Sequence, residues 1–164
     1  MSKIDFLKSC LVTSYIQLLS QKDKDKITIQ EICQQAGVSR PTFYRHFYLK
    51  EDLLIWQMEG FLVEMDAELD RLGILDGQHD QIWSVVLNKI HQEADFFTLL
   101  HQQDLLHLMV SILDRHFRKV AIFDDLSEFH YAYLSYGVSG LISHWVREGF
   151  KTSQDDLLEL IKGM

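Results

Sequence analysis

Arg40, Thr42, Tyr44, Arg45 and His46 set five hydrogen-bonding side chains close together, with Phe43 and Phe47 among them at i and i+4. On a helix, that spacing turns the two phenylalanines inward and leaves guanidinium, hydroxyl, phenol and imidazole groups on the other side. A row of this kind suits the base edges and phosphates of a DNA major groove. The alternative is a short helix packed on a core, with a polar outer face that does nothing more. Other chemistry finds less support. Eight histidines invite a metal reading, but no two stand at i, i+3 or i, i+4, so a helix-borne ligand pair is absent. Cys10 and Cys33 form neither a CxxC pair nor a disulfide framework and read as reduced thiols. No GxSxG, HExxH or phosphate-binding glycine loop occurs. The expectation is therefore a protein that is not an enzyme and needs no metal or cofactor.

A polar row is useful only if held at a fixed angle, and the flanking residues supply the means. Thr28 and Glu31 form a T-x-x-E capping box, with Ile27 and Ile32 at the positions of a hydrophobic staple. This predicts a short helix from Ile29 to about Gln35. Ala36-Gly37-Val38-Ser39 then stops it and starts another, glycine supplying the helix-ending conformation and serine the next cap. The next helix is expected over Arg40–Phe47. Pro41 lies in its first turn, where the missing N–H costs nothing, and Val38 with Phe43 repeats the staple. Ahead of both, residues 3–20 read as a helix capped by Ser2, with Ile4, Leu7, Leu11, Tyr15 and Leu18 as its apolar stripe. Two short helices on a tight turn, with a third packed across them, make a helix-turn-helix. Lys50 adds a cation in what reads as the first turn of the next helix, where the dipole disfavours it and a phosphate contact gives it a use.

Further along, helices are expected near 50–72, 79–92, 94–101, 104–119, 125–148 and 154–162, the last capped by Ser153 and Asp156. No repeat, low-complexity tract or linker interrupts them. The reading is all-α: a helix-turn-helix module at 1–49 and a helical domain at 50–164, sharing the helix that starts at Lys50. A chain of 164 residues has room for little more, and 47% hydrophobic residues give it a real core. The net charge of −8 is unevenly spread. Residues 1–60 hold eight Lys/Arg against seven acids, and the remaining 104 hold eight against seventeen. Only the N-terminal end suits a polyanion. No stretch has the pattern of a secretory signal or a membrane span, so the expected location is cytoplasmic.

The stretch Thr28-Ile-Gln-Glu-Ile-Cys-Gln-Gln-Ala-Gly-Val-Ser-Arg-Pro-Thr-Phe-Tyr-Arg-His-Phe47, followed by Lys50-Glu-Asp-Leu-Leu54, closely resembles the DNA-binding signature of the TetR family of bacterial regulators. The resemblance covers about residues 8–54. It implies a C-terminal helical domain that binds a small molecule and dimerises. It also implies that Arg40, Pro41 and Thr42 face base edges and that Tyr44, His46 and Lys50 lie at phosphates. Thr28, Ser39 and Arg45 complete the expected DNA-facing set. Two positions depart from the pattern. Cys33 replaces the usual alanine, and Leu49 stands where a capping Ser, Asn or Asp is usual, leaving the start of the next helix without its side-chain cap. Lys50–Trp56 and Tyr136–Gly149 resemble the dihydroxyacetone-kinase-regulator subgroup, some of whose members act with a protein co-activator.

What the resemblance implies is a ligand-responsive repressor that binds a palindromic operator in double-stranded DNA as a homodimer. A co-activator-dependent activator, and a TetR-like interaction module with weak DNA binding, are the alternatives. In the helix near 125–148, Leu126, Phe129, Tyr133, Tyr136, Gly137, Gly140 and His144 share one side. With Leu141 and with Leu157, Leu158 and Ile161 of the last helix, Gly137, Gly140 and His144 make a candidate four-helix dimer interface. An intrachain helix pair would use the same glycines. Trp56, Phe61, Trp83, Phe96, Phe97, Phe117 and Tyr133 are candidates for an effector pocket, and aromatic residues at helical spacing equally fill a core.

Overall fold

The computed structural model describes residues 2–74, 79–119 and 126–162. Among these every regular element is helical: α1 (Lys3–Leu19), a 3-10 turn (Lys24–Lys26), α2 (Ile29–Ala36), α3 (Arg40–Tyr44), α4 (Glu51–Leu72), α5 (His79–Gln92), α6 (Ala94–Gln102), α7 (Leu108–Phe117), α8 (Glu128–Arg147) and α9 (Gln154–Lys162). They fall into two compact units, Met1–Glu59 and Gly60–Met164, divided within α4.

In the N-terminal unit, side chains set the helix ends. Ser2 accepts the Asp5 N–H, and the Asp5 carboxylate accepts in return from the Ser2 N–H and hydroxyl. Thr28 and Glu31 repeat this box at the start of α2. Gly37 closes α2 at φ 66°, a left-handed conformation that costs a side-chain-bearing residue, while the Val38 N–H reaches back to the Cys33 carbonyl at 2.9 Å. Ser39 then caps α3. Leu11, Tyr15, Leu19, Ile27, Ile32, Phe43, Leu53 and Leu54 are buried together with Cys33 and Phe47. The predicted stripe of α1 is buried from Leu11 onward, but Ile4 stays exposed. The polar run 21–26 carries the 3-10 turn, which sequence pattern did not anticipate; the Asp23 side chain caps it by accepting the Asp25 N–H at 2.8 Å.

The second unit relies on apolar faces. α8 packs on α7 and α6, and α9 on α5. Ser135, Ser139 and Ser143 are buried along α8 beside Tyr131, Ile142 and Val146. Small side chains let the neighbouring helices approach closely, and Ser135 returns its hydroxyl hydrogen to the Tyr131 carbonyl. Neither α6, α7 nor α8 has a side-chain cap. α7 begins at Leu108, not at 104. The chain reverses at Asp104, which takes φ 54°, and the Leu105 N–H closes α6 on the Leu100 carbonyl at 2.8 Å. α8 begins at Glu128; the predicted start at 125 lies outside the described residues. No helix among the described residues is long and apolar enough to cross a membrane.

Candidate nucleic-acid interface

The polar row Arg40, Thr42, Tyr44, Arg45 and His46 sits on α3 and the turn after it. Arg40, Pro41, Tyr44 and Arg45 are exposed, and Thr42 and His46 are half-buried. Phe43 is fully buried and sets the helix angle; its ring meets Tyr44 edge-on at 5.3 Å and Phe47 at 5.8 Å. Ser39 Oγ lies 2.8 Å from Thr42 Oγ1 and accepts the Thr42 N–H, so both hydroxyls are occupied in capping. The helical turn continues beyond Tyr44, since the Phe47 N–H still bonds the Phe43 carbonyl at 3.0 Å. Thr28 is exposed at the start of α2 with its hydroxyl engaged by Glu31.

Three local features brace this surface. Lys22 Nζ meets Glu31 Oε1 at 2.5 Å, tying the turn before the 3-10 segment to α2. The Lys22 ammonium first, then the Thr28 N–H and hydroxyl, hold the Glu31 carboxyl down at about 2. The Lys8 ammonium stands 5.9 Å from the ring centres of both Phe47 and Trp56. Burial pushes the Cys33 thiol up, against a smaller opposing pull from Arg40. That is the behaviour of a small core residue replacing alanine.

The start of α4 differs from expectation. Leu49 provides no cap, but Asp52 does: its Oδ2 accepts the N–H of Tyr48 at 2.8 Å and of Leu49 at 2.9 Å. A carboxylate in the first turn of a helix can cap backward as well as a serine caps forward. Lys50 lies just ahead of α4, and Glu51 and Asp52 occupy the first turn, where the dipole favours them. The Lys50 ammonium donates to the carbonyls of Lys24 at 2.5 Å and Ile27 at 2.9 Å. Its position thus has an internal explanation that sequence spacing alone did not reveal. Asp52 and the exposed Tyr48 were likewise missed, although an acid three residues past an uncapped helix start was a legible signal.

The remaining candidates separate. Phe61, Phe96 and Phe97 come together, with ring centres 5.3, 6.2 and 5.6 Å apart in pairs. Phe117 stands beside His116 at 6.0 Å, and Trp83 is half-buried on α5. Trp56 belongs to the N-terminal unit, and Tyr133 is 73% exposed on α8. Tyr133 therefore joins no enclosed aromatic cluster among the described residues. Gly137, Gly140 and His144 are exposed on the same helix, with Leu141 half-buried. On α9, Leu157 turns into the unit's own core, whereas Leu158 and Ile161 are half-buried.

Residues 16–55 match the family described as bacterial regulatory proteins, tetR family. The match lies within the N-terminal unit and spans α2, α3 and the turn between them. An uncharacterized HTH-type transcriptional regulator, YwcC of Bacillus subtilis (strain 168), is 26% identical over a match that covers 51% of this chain. The chain spans 44% of that relative's length. The crystal structure of Lin0861 from Listeria innocua superposes with a TM-score of 0.83 at 20% identity, covering 97% of this chain and 88% of its own. A TetR transcriptional regulator from Streptococcus agalactiae 2603V gives 0.54 at 23%, covering 96% and 92%. The all-helical fold over nearly the whole chain is thus one that it shares with these two structures.

Proposed function

We propose that this TetR-type DNA-binding transcriptional regulator is a ligand-responsive repressor that binds a palindromic operator as a homodimer. The observation that carries the reading is the outward face of α3. Arg40, Pro41, Tyr44 and Arg45 are exposed on a turn whose angle is fixed by Ser39, Gly37 and buried Phe43. Arg40, exposed at the first position of α3, carries the guanidinium that a bidentate contact to a guanine edge requires. Arg40→Ala is expected to cost about 1–3 kcal/mol at one base position and to relax preference there. The measurement is binding to the DNA upstream of its own gene against a random duplex of equal length. Equal losses on the two would remove Arg40 from base reading.

Dimerisation is supported by α8. Phe129, Tyr133 and Tyr136 are 87%, 73% and 68% exposed, in line with Gly137 and Gly140. A large apolar stripe left open in one chain is the mark of a binding surface. A Cβ at either glycine would meet nothing within 4 Å among the described residues, so no described helix of the same chain packs onto them. Gly140→Leu is expected to yield a folded monomer in sedimentation; an unchanged dimer would place the interface elsewhere.

The effector is proposed to be an apolar or mixed organic molecule bound by the C-terminal unit, near the Phe61, Phe96 and Phe97 rings. α4 supplies residues to both units, so a ligand that shifts it changes the separation of two reading heads that must meet half-sites about 34–36 Å apart. Linkage then requires ligand and operator to weaken each other by one factor. Thermal-shift screening followed by operator titration tests this. A stabilising ligand that leaves operator affinity unchanged refutes the coupling, and a requirement for a second protein favours the co-activated mode.

A further inference from the structure

The turn joining α3 to α4 sends one donor inward and another outward. Lys50 is half-buried, and two of its three N–H groups are committed to the Lys24 and Ile27 carbonyls. These bonds lock the segment ahead of α2 against the start of α4. Tyr48, two residues earlier, is 84% exposed, with Leu49 beside it at 61%. An aromatic ring left this open on a small unit gains nothing from the core. Its backbone is nonetheless pinned, because Asp52 Oδ2 holds the N–H of both Tyr48 and Leu49. A phenol on a fixed backbone, continuing the exposed run Arg40, Pro41, Tyr44 and Arg45, has the form of a presented contact.

We propose that Tyr48 is the DNA-backbone contact of this turn, its hydroxyl donating to a phosphate oxygen, and that Lys50 is an internal tie. Asp52 is the positioning residue that aims Tyr48. This rests on the reading of the N-terminal unit as a DNA-binding head. The two assignments differ in one physical respect. A cation at a phosphate releases condensed counterions and steepens the salt dependence of binding by about one unit, whereas a neutral phenol adds affinity without adding to that slope. A hydrogen bond to a charged acceptor is also strong enough to register on its own.

The test uses the full chain, with fluorescence anisotropy on a duplex from upstream of its own gene and on a random duplex, each over a salt series. Tyr48→Phe is expected to weaken both about tenfold with the salt slope unchanged. Lys50→Met is expected to lower the melting temperature and leave the slope unchanged. Asp52→Ala and Asp52→Asn remove the same charge, so the excess loss in Asp52→Ala over Asp52→Asn, which keeps an acceptor oxygen, reports positioning. Tyr48→Phe affinity within twofold of wild type overturns the proposal, as does a Lys50→Met slope shallower by about one unit. Removing one oxygen from an exposed ring leaves the fold intact, so the Tyr48 arm stands whatever Lys50→Met does. Wild type that binds neither duplex instead refutes the DNA reading itself, a failure distinct from that of Tyr48 alone.

Discussion

The two units are built by different means. In the N-terminal unit, the ends of α1, α2 and α3 and the start of α4 are set by side chains a few residues away: Ser2 with Asp5, Thr28 with Glu31, Gly37, Ser39 and Asp52. In the C-terminal unit, α6, α7 and α8 start without side-chain caps, and among the described residues only α9 has one, from Ser153 with Asp156; contacts between elements hold the rest. Arg118 bonds Asp114 and Glu128 together and lies over the Tyr131 ring at 4.5 Å, joining α7 to α8. Trp145 stacks against His91 at 6.0 Å and meets Phe150 edge-on at 4.9 Å, and its indole N–H donates to the Thr152 carbonyl. Phe150 holds φ 56°, a strained position that this contact helps stabilise. A surface that must present donors at one angle is fixed locally, bond by bond. The C-terminal unit is instead held by apolar helix faces together with a few side-chain ties between elements.

That contrast predicts where single substitutions act. Trp145→Ala is expected to be the most damaging, at about 3–5 kcal/mol, since it empties a fully buried ring site and strands Phe150. Amide hydrogen exchange should show loss of protection in α5, α8 and α9 with α2 and α3 retained. Equal loss in α2 and α3 would mean that the two units do not differ in this way. Gly37→Ala is expected to cost about 1–2 kcal/mol even though a Cβ there meets nothing within 4 Å, because the penalty lies in the left-handed backbone. Urea unfolding checks this, and a neutral result would show that the turn relaxes. Tyr15→Phe has the opposite sign. The Tyr15 hydroxyl is buried without a hydrogen-bond partner among the described residues, and burial holds the phenol protonated. Its removal should be neutral or stabilising by up to about 1 kcal/mol. A loss of stability would reveal a partner such as a bound water.

The same contrast explains what the sequence made readable. Capping boxes, a left-handed glycine and a proline in the first turn are local signals, so both ends of α2 and the start of α3 could be placed to within a residue from Thr28, Gly37, Ser39 and Pro41, whereas α3 ends at Tyr44, three residues before the expected Phe47. The two carbonyl bonds of Lys50 were not readable, because their partners lie 26 and 23 residues away and only the fold brings them near. In the C-terminal unit, apolar spacing gave the helices and the open side of α8. It could not say that Tyr133 lies outside while Phe61, Phe96 and Phe97 meet, since both patterns have helical period. The start of α7 was missed because Asp104 can enter the left-handed region without the glycine that usually announces it.

The smallest expected effect tests the local end of the comparison most directly. Glu31 ties Lys22 to the Thr28 cap, and its carboxyl is held at about 2 against an ordinary value of 4.5. A carboxyl whose folded value is depressed binds its proton more readily in the unfolded chain, so stability rises with pH between the two values. The contribution is complete above about 4.5 and is lost as pH falls toward about 2. Because the side chain is solvated, the effect should be modest and reduced by salt. Glu31→Gln keeps an acceptor for the Thr28 N–H while removing the charge that Lys22 answers, so it should flatten this part of the profile without dissolving α2. Hydrogen exchange of α2 amides in wild type and variant, from about pH 6 to about pH 2.5, measures it. A variant that retains the wild-type pH dependence would assign the acid response to other carboxyls and leave the Lys22 pair without a part in fixing the reading head.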